Sequence, residues 1–265
     1  MYPLAASSLP GFLPSIGNPG RFLLQSKRGS ADFAQSDHLH FKPAYLRIRH
    51  FNLKAALSKS RYTEVYNDIN GDLVNFWRHI KQHPEAFVTE LNQYLVSREM
   101  FDTFTQHEPK TELERAIRFY FQLSCSYGSR SKNFCIMQGY KYMPLRNLEK
   151  VKAASERLKQ VIIEKQDFEK LIARFDTPNT FFYLDPPYYT KEHLYDREDA
   201  NAFTKHEELA AALKNIKGKF LLSYNNDPYI RTLYQGFTID EVEAQYTVSG
   251  AFQTETELLI RNYRC

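Results

Sequence analysis

Residues 181–190 read Phe181-Phe182-Tyr183-Leu184-Asp185-Pro186-Pro187-Tyr188-Tyr189-Thr190, and the fold class turns on them. Four apolar or aromatic residues run without a break into an acid, two prolines and two tyrosines. Such a run fits a buried strand that stops at a rigid loop. Proline fixes φ and removes the backbone donor that a sheet ladder needs, so neither Pro186 nor Pro187 extends the strand. The strand is therefore expected to deliver one carboxylate, Asp185, and exposed aromatic faces to a stiff turn. In open α/β sheets ligands bind just outside the carboxyl ends of strands, which makes this turn the candidate site.

The flanking sequence has the alternation that such a sheet requires. Upstream, Val161-Ile162-Ile163 reads as a strand, and Asp167-Phe168 opens a helix carrying Leu171, Ile172 and Phe175. Downstream, Thr204 with Glu207 forms a capping pattern ahead of Leu209, Ala212, Leu213 and Ile216, a helix that Gly218 would end. Lys219–Tyr224 reads as a strand and Pro228–Tyr234 as a short helix. Phe237–Val242 and Glu257–Asn262 read as two last strands forming an antiparallel hairpin at the sheet edge. Nearer the N-terminus, Thr63–Tyr66 is a short strand, and Asn70 caps a helix with the stripe Leu73, Phe76, Trp77 and Ile80. Pro84 suits the first turn of a helix with Phe87, Val88, Leu91 and Leu95. Thr111 and Glu114 make a capping box before Leu113, Ile117, Tyr120 and Leu123, and a further helix spans Asn147–Leu158. Alternating βαβ units predict an α/β fold, a mainly parallel Rossmann-like sheet covered by helices.

Composition narrows the class without naming a function. With 43% hydrophobic and 25% charged residues, the 265-residue chain can bury the core of one large domain. Cys125, Cys135 and Cys265 are odd in number and lack metal-ligand spacing, which fits a reducing, cytoplasmic compartment and no metal. No apolar run approaches the ~18–20 residues of a membrane span. Met1–Leu13 has no charged region ahead of its apolar residues, so no signal peptide is expected. The net charge of +4 is unevenly spread. Residues 1–62 hold nine Lys/Arg against two Asp/Glu, and the remainder has 26 basic and 29 acidic residues. Residues 1–60 also lack periodicity, and are expected to be an atypical, poorly ordered segment ahead of a domain at 61–265.

The Asp-Pro-Pro-Tyr run has a chemistry of its own. A fixed carboxylate beside a turn with free carbonyls offers two converging acceptors, and the ring of Tyr188 offers a stacking surface. Together they suit a planar group with an exocyclic amine, whose two N–H bonds are accepted while its ring is sandwiched. A plain strand-ending turn would use the same residues.

With these residues in hand the chain resembles the Dam-like, adenine-specific (N6) DNA methyltransferases, which use S-adenosylmethionine. The carriers are Asp185-Pro186-Pro187-Tyr188, Tyr66-Asn67-Asp68-Ile69-Asn70, Asp167-Phe168, Leu222-Ser223-Tyr224-Asn225 and Thr256-Glu257-Leu258-Leu259-Ile260-Arg261-Asn262-Tyr263, all in the family's order. The resemblance implies a methyltransferase sheet with a helical target-recognition insertion at 97–157. It implies that Asp185 and the carbonyl of Pro186 accept the target adenine's amine, with Pro187 stiffening the turn and Tyr188 stacking on the extruded base. Extrusion is needed because the amine is engaged in pairing within the duplex. Asp68 would bind the cofactor's ribose hydroxyls, and Asp167 with Phe168 its adenine. On residue type alone Asp68 serves equally as part of a helix cap, and Asp167 as an N-cap beside a core Phe168.

The expected DNA-facing segment is Arg115–Lys152, with eight Lys/Arg, one acid (Glu149) and seven Phe/Tyr. Arg130, Lys132 and Lys141, in its irregular part, are the candidate phosphate contacts on double-stranded DNA; a solvated basic face over core aromatics is the plainer alternative. The departure from the family lies at the front. Nothing upstream of Tyr62 matches the family's glycine-rich cofactor element, and Gly17-Asn18-Pro19-Gly20 has no strand before it. Residues 1–60 therefore look like a replaced N-terminus, leaving the sheet without its first strand and the cofactor pocket without a wall. A site-specific, restriction-modification type of enzyme, bacterial or phage-encoded, is the expectation. One alternative is a catalytically impaired relative that still binds DNA. A second is an enzyme of the same fold acting on RNA or on a protein amide, against which Asp185 argues because amide-directed enzymes of the class favour Asn there.

Overall fold

The computed structural model describes residues 21–25, 63–126, 133–135, 146–189, 204–248 and 251–264. Strand β4, Thr180–Leu184, is buried over most of its length, as expected of a continuous apolar run covered on both faces. It lies between β1 (Arg21–Gln25) and β5 (Lys219–Asn225) and is parallel to both. With β2 (Thr63–Asn67), β3 (Ile162–Glu164), β6 (Thr238–Val248) and β7 (Ala251–Arg261) the described strands form one sheet in the order β3-β2-β1-β4-β5-β7-β6. Five strands are parallel. β7 runs antiparallel to β5 and forms with β6 the predicted edge hairpin, each strand reaching 11 residues.

One expectation is overturned at the sheet centre. Arg21-Phe22-Leu23-Leu24-Gln25 lies inside the stretch expected to be poorly ordered, yet it fills the slot of the supposedly missing first strand. Its run of three apolar residues is too short to signal a strand by itself. Ladders on both sides supply what local sequence does not, pairing Arg21 with Thr63 and with Thr180. The other residues of 1–60 lie outside the described set.

The helices bury two faces of this sheet. Between β2 and β3 run α1 (Gly71–Gln82), α2 (Pro84–Leu91), α3 (Arg98–Gln106), α4 (Glu112–Ser124) and α5 (Leu148–Leu158). Their core includes Phe76, Trp77, Phe87, Tyr120 and Phe121 and reaches the sheet at Tyr66. The other face carries α6 (Phe168–Phe175), α7 (His206–Lys214) and α8 (Pro228–Leu233), packed on Phe182, Phe220 and Leu222. Val65 belongs to this second core although Tyr66 belongs to the first. Alternation along a strand sends consecutive side chains to opposite faces.

Several boundaries differ from those expected. α3 has only two buried residues, Phe101 and Phe104, too few to announce a helix, but Ser97 caps it by accepting from the Met100 amide at 3.1 Å. Leu95 lies beyond the end of α2 and is 78% exposed. Lys205, not Thr204, is the residue before α7, and no side chain caps that helix. α7 stops at Lys214, so Gly218 is not its terminator. A Cβ at Gly218 would lie 2.7 Å from the Thr180 carbonyl oxygen and 3.0 Å from that of Thr177, which is why only glycine fits there. Its amide donates to the Asp176 carboxylate at 2.8 Å, fixing the entry to β5 against the entry to β4.

Two outcomes are expected of this packing. Gly218→Ala forces backbone apart beside β4 and should cost about 1–3 kcal/mol, seen as a lower urea midpoint at unchanged slope. Burial pushes the Cys125 thiol up to about 11, against a weaker opposing effect of Arg146. It should therefore resist iodoacetamide at pH 8 in the native protein and react after denaturation, read by mass spectrometry.

Candidate active site

Parallel register sets the positions of the acids. Gln25 pairs with Asn67 on one side and with Leu184 on the other, so β2 and β4 end level with each other. Asp68 and Asp185 are each the next residue, and Asn67 pairs with Glu164, three residues before Asp167. Three acids thus gather at one edge of the sheet. The chain leaves β1 toward β2 and β3 on one side and resumes at β4 and β5 on the other. That switch point is where open α/β sheets take their ligands.

Asp185 is only 7% exposed, and the Ser223 hydroxyl donates to its Oδ1 at 2.7 Å. The same hydroxyl lies 3.5 Å from the Leu184 carbonyl oxygen. Ser223 follows Leu222, the β5 partner of Leu184, so strand register delivers it to the carboxylate. Pro186 is buried and Pro187 half-buried. The aromatic faces differ from the expectation. Tyr188 is 4% exposed rather than open, and its hydroxyl donates to Glu257 on β7. A phenol with a buried carboxylate in reach satisfies its polar tip and adds its ring to the core, where Tyr224 lies 6.4 Å away. Tyr189 is half-buried and stacks on Tyr229, with ring centres 4.5 Å apart.

The cofactor candidates are engaged with local partners. Asp68 is buried and its Oδ1 accepts from the Asn70 amide at 2.7 Å; Asn70 in turn caps α1 through Asp72 and Leu73. Asp167 caps α6, its Oδ1 accepting from the Glu169 amide at 3.0 Å, and its Oδ2 lies 3.1 Å from Lys205 Nζ. The Glu169 and Asp167 carboxylates hold the Lys205 ammonium above its ordinary range. Phe168 is in the core, with Lys205 Nζ 5.8 Å from its ring centre.

Three buried polar groups escaped the reading of the sequence. Asn67 is fully buried and clamps the ends of β2 and β3. Its Nδ2 donates to the Gln166 carbonyl and its Oδ1 accepts from the Gln166 amide, both at 2.9 Å. Ser223 interrupts the apolar run Phe220-Leu221-Leu222 of β5, and that break was the available signal; Glu257 follows Gln253-Thr254-Glu255-Thr256 on β7, where nothing local marks it.

Arg130, Lys132 and Lys141 lie outside the described residues. Within the described part of the basic segment, Arg115 pairs with Asp72, Arg118 with Glu108 and Lys152 with Glu85. Tyr120 and Phe121 are core, as the plainer alternative had it, and Phe119 packs against that core. Among the described residues there is no cluster of His, Cys, Asp or Glu able to hold a metal, and no helix long and apolar enough to cross a membrane.

An acid at the switch point followed by Pro-Pro-Tyr, on a seven-stranded sheet with an antiparallel last hairpin, defines a methyltransferase of the Rossmann-like class. The chain belongs to the D12 class N6 adenine-specific DNA methyltransferases, whose family profile matches residues 51–248. It is 28% identical over 226 residues to the Type II methyltransferase M1.LlaDCHI of Lactococcus lactis subsp. cremoris, covering 75% of this chain and 79% of that one. It is 25% identical over 218 residues to the Type II methyltransferase M.CviBI of Paramecium bursaria Chlorella virus NC1A, covering 76% and 81%. A DNA adenine methylase of Vibrio cholerae serotype O1 is 26% identical over 219 residues, covering 73% and 77%. Membership of the family makes adenine N6 in DNA the methyl acceptor and favours an enzyme over an impaired DNA binder.

The Asn67 clamp is testable. Asn67→Ala strips both partners from the Gln166 peptide group and should cost about 1–3 kcal/mol. Asn67→Asp keeps the acceptor but sets an oxygen against the Gln166 carbonyl oxygen in a fully buried place, so it should cost at least as much. Urea unfolding of the full chain measures both.

Proposed function

We propose that Asp185 and the Pro186 carbonyl accept the two N–H bonds of an extruded adenine's amine in double-stranded DNA and aim its lone pair at a bound methyl donor. The observation that carries this is the buried carboxylate at the switch point, held by Ser223 at 2.7 Å. A carboxylate already desolvated and already oriented reorganises little as the amine develops positive charge. Pro186 and Pro187 keep the turn stiff, so the two acceptors stay converged. Tyr188 contributes the stacking surface once the base displaces what covers its ring. Flipping costs a few kcal/mol, and stacking at about 1–3 kcal/mol per base offsets much of it. The proton shed by the amine leaves along the Asp185 hydrogen bond.

The methyl donor we propose is S-adenosylmethionine, which supplies an electrophilic methyl group when bound. The acids fit its polar parts: Asp68, buried one residue past β2, is an acceptor for ribose hydroxyls, and Asp167 is an acceptor for its adenine amine beside Phe168. An incoming amine at Asp167 competes with Lys205 for Oδ2. On the substrate side, we assign residues 97–157 of the 61–265 domain to target recognition, with Arg130, Lys132 and Lys141 on phosphates.

The test is label transfer from methyl-labelled S-adenosylmethionine to unmethylated duplex DNA by the full chain. Asp185→Ala should lower transfer about 100- to 1,000-fold with DNA affinity within about twofold of the parent. Asp68→Ala should raise the cofactor KM about tenfold, the loss of roughly one charge-assisted hydrogen bond. Unchanged transfer by Asp185→Ala contradicts the assignment. DNA binding with no transfer by the parent chain supports the impaired relative instead.

A further inference from the structure

We infer that Glu257, on β7 and outside the acceptor turn, is a positioning residue that sets the plane of the Tyr188 ring against the extruded base. This rests on the stacking role proposed above for Tyr188. Glu257 is 4% exposed, and its Oε1 accepts from the Tyr188 hydroxyl. The two residues lie 69 positions apart in the chain and on different elements. The backbone leading into Tyr188 is already stiff, because the prolines at 186 and 187 each fix φ. What is left free is the side chain, with two rotatable bonds. A hydrogen bond at the far tip fixes the first, because the tip swings most about Cα–Cβ. It orients the second because a conjugated phenol O–H lies in the ring plane, so the ring turns to aim that bond at Glu257.

Sheet register brings the carboxylate to that tip. Leu184 pairs with Leu222, and Leu222 with Ile260, so β7 is locked to β4 through β5. Asn262 holds the start of that ladder, its Oδ1 accepting from the Phe220 amide at 3.0 Å and its Nδ2 donating to the Gly218 carbonyl at 2.9 Å. Glu257, at the other end, pairs with Asn225. The closing run Thr256–Tyr263 thus has a shared purpose: Asn262 sets the register and Glu257 uses it. Stability does not explain an acid at this place. Burying a carboxylate is unfavourable, and an apolar pair of similar volume packs there at least as well. Geometry explains it, because a charge-assisted bond is short and directional.

The experiment uses the full chain with Glu257→Ala, Glu257→Gln, Tyr188→Phe and the Glu257→Ala/Tyr188→Phe double variant, with Tyr188→Ala as a control. Methyl transfer from labelled S-adenosylmethionine to unmethylated duplex DNA gives kcat and the cofactor KM. Positioning predicts that Glu257→Ala and Tyr188→Phe each lower kcat about tenfold, a loss near 1.4 kcal/mol in the transition state, at an unchanged cofactor KM. Glu257→Gln, which still accepts from the hydroxyl, should stay within about threefold of the parent. The double variant should be no slower than either single one, because both break the same bond. If Glu257→Ala does not fold, Tyr188→Phe, which removes one oxygen atom, carries the test. Parent-like kcat in Glu257→Ala or in Tyr188→Phe, with Tyr188→Ala inactive, overturns the positioning role and leaves the stacking role standing. Parent-like transfer by Tyr188→Ala, or no transfer by the parent, overturns the stacking role and this inference with it.

Discussion

Asp185 is a carboxylate kept at the dry end of a central strand by the hydroxyl of Ser223. A charge in that position is unfavourable unless it is hydrogen-bonded, and the surrounding sheet supplies that bond. The β4–β5 register supplies the serine, the two prolines prevent the turn from relaxing, and the β5–β7 register brings a second buried acid to Tyr188. Pre-arranged groups of this kind are worth most in catalysis, because they need not be reorganised as charge moves.

The same constraint ties the acceptor edge to the rest of the fold. Gln25 at the end of β1 is level with both Asn67 and Leu184, so the acids after β2 and β4 share one edge. Asn67 then clamps β3 to β2 through the Gln166 peptide group and fixes the approach to Asp167. Lys205, at the far end of the segment that follows the acceptor turn, bonds to Asp167. The two halves of the edge are therefore connected by side chains as well as by strands.

Much of this was legible in the sequence, for identifiable reasons. Phe181–Leu184 reads as a buried strand because both of its faces are covered, and Asp-Pro-Pro stops it unambiguously. The stripe Leu73, Phe76, Trp77 and Ile80 reads as a helix because one face is apolar, and all four side chains are buried. β1 was missed because Phe22-Leu23-Leu24 carries too little pattern without its two neighbouring ladders. The burial of Tyr188 was missed for a different reason: it depends on Glu257, a contact across 69 residues that no local pattern encodes. Ser223 and Asn67 share that origin. Each lies within a recognisable motif, but its partner is set by register, which sequence alone does not give.

The measurement that tests the account most directly is the identity of the methylated base. Duplex DNA treated with the full chain and methyl-labelled S-adenosylmethionine is digested to nucleosides and separated by chromatography. The buried Asp185 and the Pro186 carbonyl, as acceptors for an exocyclic amine in a chain of the adenine-specific N6 family, predict that all label co-elutes with N6-methyldeoxyadenosine. Label on cytosine, on a ring carbon, or nowhere while the DNA remains bound would contradict it.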